Sequence, residues 1–496
     1  MSGQAIEFKG GMNLTGAPMS LQPGEVLFSQ NFDIPPTGGY RRIPGYVLFD
    51  GQTIPQEVPG SGPVRGLVRF GAKLYAFRDN ALATACVMHV ESVAGWAIVT
   101  TPALLPGGVY RFTIGNFQGH SGGLKLFGCD GVNKGFQFDG TTFTQITTGM
   151  TADKPTHLVI HKGHLFFSFT GGSVQHSGLG TPLVWTPITG AAEMGVGEEV
   201  SGFQSEVGGY LAIFTRNATA FLTGTSAADW GLQQHSDDTG AIENSIQRIG
   251  ATTFLDDRGI ATLSAVQTYG NFARGTLSQK IAPLVESLVI SGVACSGVSR
   301  KNNQYRIFFN NKSGLYLSFA GEKLVGSLPV VFPVQPTCYF SGEDESGAEV
   351  SFFGGADGKV YQLDQGSDFA GTPILAVLRL PYFHYKTPSQ RKRFQRIRFE
   401  AQSAAGASIY LAPTFDYGSA LVPTALPTML ELAGRGGYWS IDNWNEFSWS
   451  GQYAPDTPIH LMGVGKNMGL LLSSTGGESY TLFGAIVTFA MRGQER

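Results

Sequence analysis

From Val64 onward the chain is a succession of short apolar runs, each closed by a turn built on glycine, asparagine or aspartate. Val64–Phe70, Lys73–Phe77, Cys86–Val90 and Trp96–Thr100 read as four strands separated by Gly-Ala, Asp-Asn and Ala-Gly steps. Tyr110–Ile114, Leu124–Phe127, Gly135–Phe138 and Phe143–Ile146 repeat the quartet, and further groups begin near His157, Ser201, Ile246, Ala294 and Thr337. Their spacing is about 40 residues, the length of one four-stranded propeller blade. Six or seven such quartets constrain the chain to an all-β fold in which one sheet packs on the next. The repeat is one of spacing rather than of letters, with no WD or kelch signature, so two stacked β-sandwiches stand as the alternative. Glycine supplies 68 of the 496 residues and charged residues only 14%, against about 25% in an average soluble chain. Such a chain is rich in turns and lightly charged.

The two ends differ from this middle. Residues 1–62 carry little periodicity, because Gly10-Gly11, Pro23-Gly24, Pro35-Pro36, Gly38-Gly39 and Pro44-Gly45 break each incipient element. Apolar anchors (Leu21, Leu27, Phe28, Phe32, Tyr46) recur through it, which predicts an extended arm wrapped on a neighbouring surface. Residues 63–366 are assigned to the propeller and 367–496 to a C-terminal β-sandwich, a platform-like domain. Within the propeller segment, Leu277–Ile290 places Ile281, Leu284, Val285 and Leu288 at helical spacing, interrupted by Pro283. In the C-terminal segment Arg391, Lys392, Arg393, Arg396 and Arg398 bring five basic residues into eight positions. Arg396 and Arg398 share one face of the strand and Ile397 and Phe399 the other, so the expectation is a half-buried strand with a cationic outer face.

A net charge of −3 gives no global attraction to nucleic acid or anionic membrane. The opening Met1–Lys9 lacks the pattern of a secretory signal. The longest apolar stretch, near Leu482–Met491, is far shorter than the ~20 residues of a membrane helix, so no membrane insertion is expected. Cys86, Cys129, Cys295 and Cys338 are far apart and form no C-x-x-C pair. Buried thiols in a protein made in a reducing cytoplasm are expected.

Several constellations invite chemistry and fall short of it. Gly119-His120-Ser121-Gly122-Gly123 matches G-x-S-x-G, but the following Leu124–Phe127 is strand-like where a nucleophile elbow needs a helix. His157, His161 and His164 have a spacing that could hold zinc, with a surface hairpin as the plainer reading. Asp237-Asp238, Asp256-Asp257 and Glu343-Asp344-Glu345 sit in turn-like settings, and neighbours on a strand point to opposite faces. Gly463-Val464-Gly465-Lys466-Asn467 lacks the Ser/Thr of a phosphate loop. The expectation is therefore no catalytic residue, no metal and no cofactor.

The arm, from Gly11-Met12-Asn13-Leu14 through Leu21-Gln22-Pro23-Gly24-Glu25 and Asn31-Phe32-Asp33 to Gly39-Tyr40-Arg41-Arg42-Ile43-Pro44-Gly45-Tyr46, resembles the start of the tail nozzle proteins of short-tailed bacteriophages, also called tail tubular or packaged-DNA stabilisation proteins. Lys392–Phe399, Gly463–Asn467 followed by Ile486–Arg492, and Gly250–Leu263 with Leu255-Asp256-Asp257-Arg258-Gly259 resemble further stretches of that family. The resemblance implies a non-enzymatic virion protein of the tail: a ring, expected in six copies, that extends the channel of the portal and its adaptor ring. Such a ring retains packaged double-stranded DNA and conducts it without sequence specificity, and tail fibres or spikes are further expected partners. Arg41, Arg42, Arg391, Lys392, Arg393, Arg396 and Arg398 are the expected subunit or adaptor contacts. The alternative is a β-propeller tail protein that binds or degrades glycans, for which Trp439, Trp444 and Trp449 are candidate contacts.

Overall fold

The quartets fold as radial antiparallel sheets. The computed structural model describes residues 2–17, 20–49, 56–119, 123–226, 228–264, 276–403, 407–418, 427–432 and 458–492. Blade 1 is Ser61–Phe70, Lys73–Asp79, Cys86–Ser92 and Gly95–Ile98, and blade 2 is Arg111–Gly115, Lys125–Cys129, Phe136–Phe138 and Phe143–Gln145. Blade 3 holds His157–His161, His164–Phe169, Ser173–His176 and Ala192–Gly195. Blade 4 holds Val200–Ser205, Leu211–Thr215, Thr219–Thr223 and Gly231–Ser236. Blade 5 has three described strands, Gln247–Ile249, Ala251–Asp256 and Gly259–Thr262. Blade 6 is Val293–Ser299, Gln304–Phe309, Ser313–Ala320 and Lys323–Val331. Blade 7 is Pro336–Glu343, Glu349–Gly355 and Val360–Leu363, completed by Tyr46–Leu48 from the N-terminal segment.

The first strand of each blade faces a central channel, and the ring closes where Thr337 Oγ1 of blade 7 donates to the Val64 carbonyl of blade 1 at 2.8 Å. Second strands are covered by blades on both sides. His164–Phe169, Leu211–Thr215 and Gln304–Phe309 are buried at every position, so these strands do not alternate polar and apolar residues, and the polar side chains within them, such as Gln304 and Arg306, are buried too. After blade 5 the chain turns through Gln279–Ile281 into the helix Ala282–Val289. Pro283 lies in the first turn of that helix, where its missing N–H costs nothing, so it starts the helix that it was expected to interrupt.

The C-terminal strands form a two-sheet sandwich, and the N-terminal segment is woven into both sheets. In the first, Phe32–Asp33, Tyr40–Arg42, Tyr480–Met491, Lys392–Ser403 and Ile459–Gly465 lie in that order, and Ser2–Glu7 also pairs with Tyr480–Met491. In the second, the order is Phe28–Gln30, Leu375–Phe383, Met468–Thr475, Ala407–Phe415 and Thr428–Leu432. The surface that the arm wraps is thus its own chain's. It crosses from sandwich to propeller at Gly45, where a Cβ would run into the Asp368 carbonyl. Tyr46 then enters blade 7 among Phe332, Phe353, Tyr361 and Phe369, with ring centroids 4.9–5.3 Å away.

One core runs through both units. It joins Phe8, Phe32 and Tyr40 of the arm, Leu255 and Ile260 of blade 5, Ile281 and Val285 beside them, Ile307 and Leu317 of blade 6, and Ile397, Leu472 and Val487 of the sandwich. The propeller and the sandwich therefore pack as a single body rather than as beads on a linker.

Candidate functional site

The basic strand Lys392–Ser403 lies inside the six-stranded sheet, and its polarity is set by a bulge. Register shifts between Phe394 and Arg396 on both sides of the strand. The extra residue re-phases the alternation, so Lys392 and Phe394 point inward before it and Ile397 and Phe399 after it. Arg393 and Arg396 are exposed on the outer face and Arg398 is half-buried there. Arg396 lies between His460 and Thr488, Arg393 between Val464 and Ala490, and Arg398 beside Ile486. Met462, Val464, Ile486 and Met491 are exposed around them, Met462 at 86%. The cationic stripe thus runs between apolar side chains on both neighbouring strands.

The expected contact residues divide. Arg391, Arg393 and Arg396 are exposed. Lys392 is fully buried, its ammonium donating to the carbonyls of Thr387, Gln390 and Lys466 at 2.6, 3.1 and 2.9 Å. Burial lowers its pKa. Arg42 is also fully buried and donates to the carbonyls of Ser367 (2.8 Å), Glu478 (3.0 Å) and Gly477. These two cations are internal cross-links, which corrects their assignment to a partner contact. The reason is that each sits on the inward phase of its strand and finds backbone carbonyls there that accept from it.

Arg41 forms a fork with Asp33 at 2.9 and 2.6 Å and reaches Asn302 at 3.2 Å. Asp33 accepts from Gln304 (2.8 Å), and Gln304 accepts from Arg306, which forks onto Asp364 at 2.8 and 3.0 Å. Arg306 is fully buried, with its guanidinium over the Tyr316 ring at 4.6 Å. Burial alone would lower its pKa, and the Asp364 carboxylate and surrounding groups outweigh that, holding it above the ordinary value. This chain of charges ties the arm to blades 6 and 7.

A second polar grouping lies at one mouth of the propeller channel, a cavity of about 450 Å³. Arg111 opens the first strand of blade 2, His157 opens that of blade 3, and Glu243 and Asn244 precede that of blade 5. Arg111 donates to Glu243 Oε1 at 2.5 Å, to Asn244 Oδ1 at 2.8 Å and to the Thr156 carbonyl at 2.8 Å. His157 is buried, with Nδ1 3.1 Å from Thr156 Oγ1 and Nε2 3.5 Å from Glu243 Oε1. Burial first and Arg111 second hold its pKa well below the ordinary value, so the ring is neutral. Sequence reasoning missed this grouping because its members come from different quartets. The available signal was slight: Arg111 and His157 open the first strands of consecutive repeats, whereas the next repeat opens on Val200 and Glu243 lies ahead of its strand.

His157 does not join His161 and His164. It pairs with Ser168 at the far end of the strand, whereas His161 and His164 face each other at the hairpin and pack with His176 and Trp230. Among the described residues no group of three or more His, Cys, Asp or Glu side chains is placed to hold a metal ion. Asp256 pairs with Arg258 and Asp257 with Arg216. Gly463–Asn467 lies at the turn between Ile459–Gly465 and Met468–Thr475. All four cysteines are buried free thiols. Ser121, Trp439, Trp444 and Trp449 lie outside the described residues. No helix among the described residues is long and apolar enough to cross a membrane.

No family model and no curated protein matches the chain. Among solved structures it is similar to virginiamycin B lyase from Staphylococcus aureus, at 12% identity over 62% of this chain and 98% of that one, with a TM-score of 0.41. A streptogramin B lyase is similar at 10% identity over 64% and 96% (TM-score 0.42), and U3-55K at 10% over 62% and 97% (TM-score 0.43). The fold class follows from the strands themselves: the chain is an all-β propeller joined to a β-sandwich.

Proposed function

We propose that the chain is a structural subunit of a short-tailed phage tail nozzle, a wall element that encloses the DNA path and carries out no turnover of its own. The observation that carries this reading is the fastening of its two ends. Ser2–Glu7 pairs with residues 484–489 of the last described strand, Tyr40–Arg41 with residues 481–482, and Tyr46–Leu48 with Leu363–Tyr361 of the last blade. A pull along these strands loads many backbone hydrogen bonds in parallel, which suits a wall under pressure better than a hinged binding module.

Two further features support it. The stripe of Arg393, Arg396 and Arg398 between exposed Met462, Val464 and Ile486 is a mixed charged and apolar surface of the kind that docks an adaptor or a second copy. The propeller's own channel holds a cavity of only about 450 Å³, too small to admit a DNA duplex. In this reading the genome passes between copies of the chain and not through any one of them.

Sedimentation and negative-stain imaging of the purified full chain test the proposal. A closed ring, expected in six copies, with the same protein in purified virions supports it. A monomer at every concentration, absent from virions, overturns it.

A further inference from the structure

Carboxylates gather at one end of blades 4 and 5. Glu198 and Glu199 lead into the first strand of blade 4, Asp237 and Asp238 follow its last strand, Glu243 leads into blade 5, and Asp257 follows that blade's second strand. In an antiparallel four-stranded blade these positions fall at the same end. Side chains knit them into one surface: Thr215 Oγ1 donates to Glu198 at 2.9 Å, Arg216 pairs with Asp257, and Arg258 reaches Asp238 at 3.7 Å. All six carboxylates are exposed. Arg111, Arg216 and Arg258 answer Glu243, Asp257 and Asp238, which leaves Glu198, Glu199 and Asp237 without a cation among the described residues. Hydrogen bonds from Thr215 and Asn217 lower the pKa of Glu198, so it stays ionised. The other acidic turn, Glu343-Asp344-Glu345 in blade 7, is partly offset by Arg300 and Arg69 beside it.

The outer sheet face of the sandwich has the opposite imbalance. Arg393 and Arg396 are exposed there and take part in no ion pair among the described residues, and Met462, Val464 and Ile486 stand exposed around them. A two-fold contact centred on this stripe would set arginine against arginine. A head-to-tail contact instead uses two different patches of each copy, and it closes into a ring when the rotation permits. We propose that Arg393 and Arg396 of one copy dock on the Glu198, Glu199 and Asp237 surface of the next. The apolar side chains beside the arginines shed water on contact, and the lower local dielectric strengthens each charge pair. Pairing either patch with its own kind brings like charges together, which selects this one arrangement. The inference rests on the ring reading given above and names the contact that would build it.

Sedimentation velocity on the full chain tests it. The wild type is expected as a ring. Glu199→Lys with Asp237→Lys is expected to break it, weakening each contact about tenfold, the loss of two exposed ion pairs. Neither side chain makes a hydrogen bond or ion pair among the described residues, so the variant is expected to melt at the wild-type temperature. An equimolar mixture with Arg393→Glu/Arg396→Glu is expected to recover the ring, because each reversed patch then meets a reversed partner and each native patch a native one. Should the reversal not fold, Glu199→Gln with Asp237→Asn is expected to weaken the contact in the same direction. A ring that survives Glu199→Lys with Asp237→Lys, or a mixture that stays dissociated, overturns this inference and leaves the nozzle reading standing. A wild-type monomer at every concentration overturns the ring reading itself, and this contact with it.

Discussion

At the scale of single residues, the lightly charged interior concentrates its charges where they cross-link. Arg306 is fully buried, and among the described residues Asp364 is its one carboxylate partner. Asp364 also holds a left-handed backbone at φ 60°, a conformation that asparagine tolerates. Asp364→Asn therefore keeps the turn and removes the charge, leaving a buried guanidinium unpaired. It is expected to cost about 3–5 kcal/mol, read as a lower denaturant midpoint at unchanged slope. Lys392 makes the complementary point. Its position in a run of basic residues marks it as surface in the sequence, yet three carbonyls enclose its ammonium. The alternation Ile397/Phe399 against Arg396/Arg398 was legible, because a strand has period two. The side taken by Lys392 was not, because the bulge before Arg396 reverses the phase and leaves no mark in the residue types.

At the scale of elements, the N-terminal segment does what its breaks and anchors hint at, but upon its own chain. Tyr46 is its anchor in blade 7, and Tyr46→Ala empties a space enclosed by four aromatic rings. A loss of about 3–5 kcal/mol follows from comparable aromatic truncations. Hydrogen exchange should show the loss locally: amides of Val360–Leu363, which pair with Tyr46–Leu48, exchange faster while those of His164–Phe169 in blade 3 do not change. Uniform acceleration through every blade would instead mean that the closure carries no special weight. The helix Ala282–Val289 was readable from its apolar spacing. Its place beside the three described strands of blade 5 was not, since that depends on packing against the sandwich core.

At the scale of the whole molecule, buried neutral histidines link stability to pH. Burial lowers His89 and His161 to about 4, and His157 and His176 are also lowered. The unfolded chain takes up protons at these groups below its ordinary value of about 6.5, while the native state resists until about 4. Stability is thus full above pH 6.5 and falls as pH drops from there through 4, by on the order of a few kcal/mol for the set. Thermal melts across that window should show a falling Tm, and a flat profile would contradict the neutral-ring assignment. Assembly is a second property of this scale. Arg393→Glu with Arg396→Glu reverses two exposed charges on the outer sheet face, so the folded chain should keep its stability within about 0.5 kcal/mol while the proposed ring dissociates in sedimentation.

The sequence alone determined the all-β class of the fold, because glycine-closed apolar runs recurring at about 40 residues bury their surface by packing one sheet on the next; the choice of propeller over stacked sandwiches came from the structure. The sequence also set the outward face of the basic strand after the bulge. Tertiary structure decided the rest: that the arm closes both the propeller and the sandwich, that Arg42 and Lys392 are internal, and that Arg111, His157 and Glu243 meet at one channel mouth. These outcomes depend on contacts between residues tens to hundreds of positions apart. Local periodicity records which face of a strand is apolar, and it holds no information about which distant strand will cover that face.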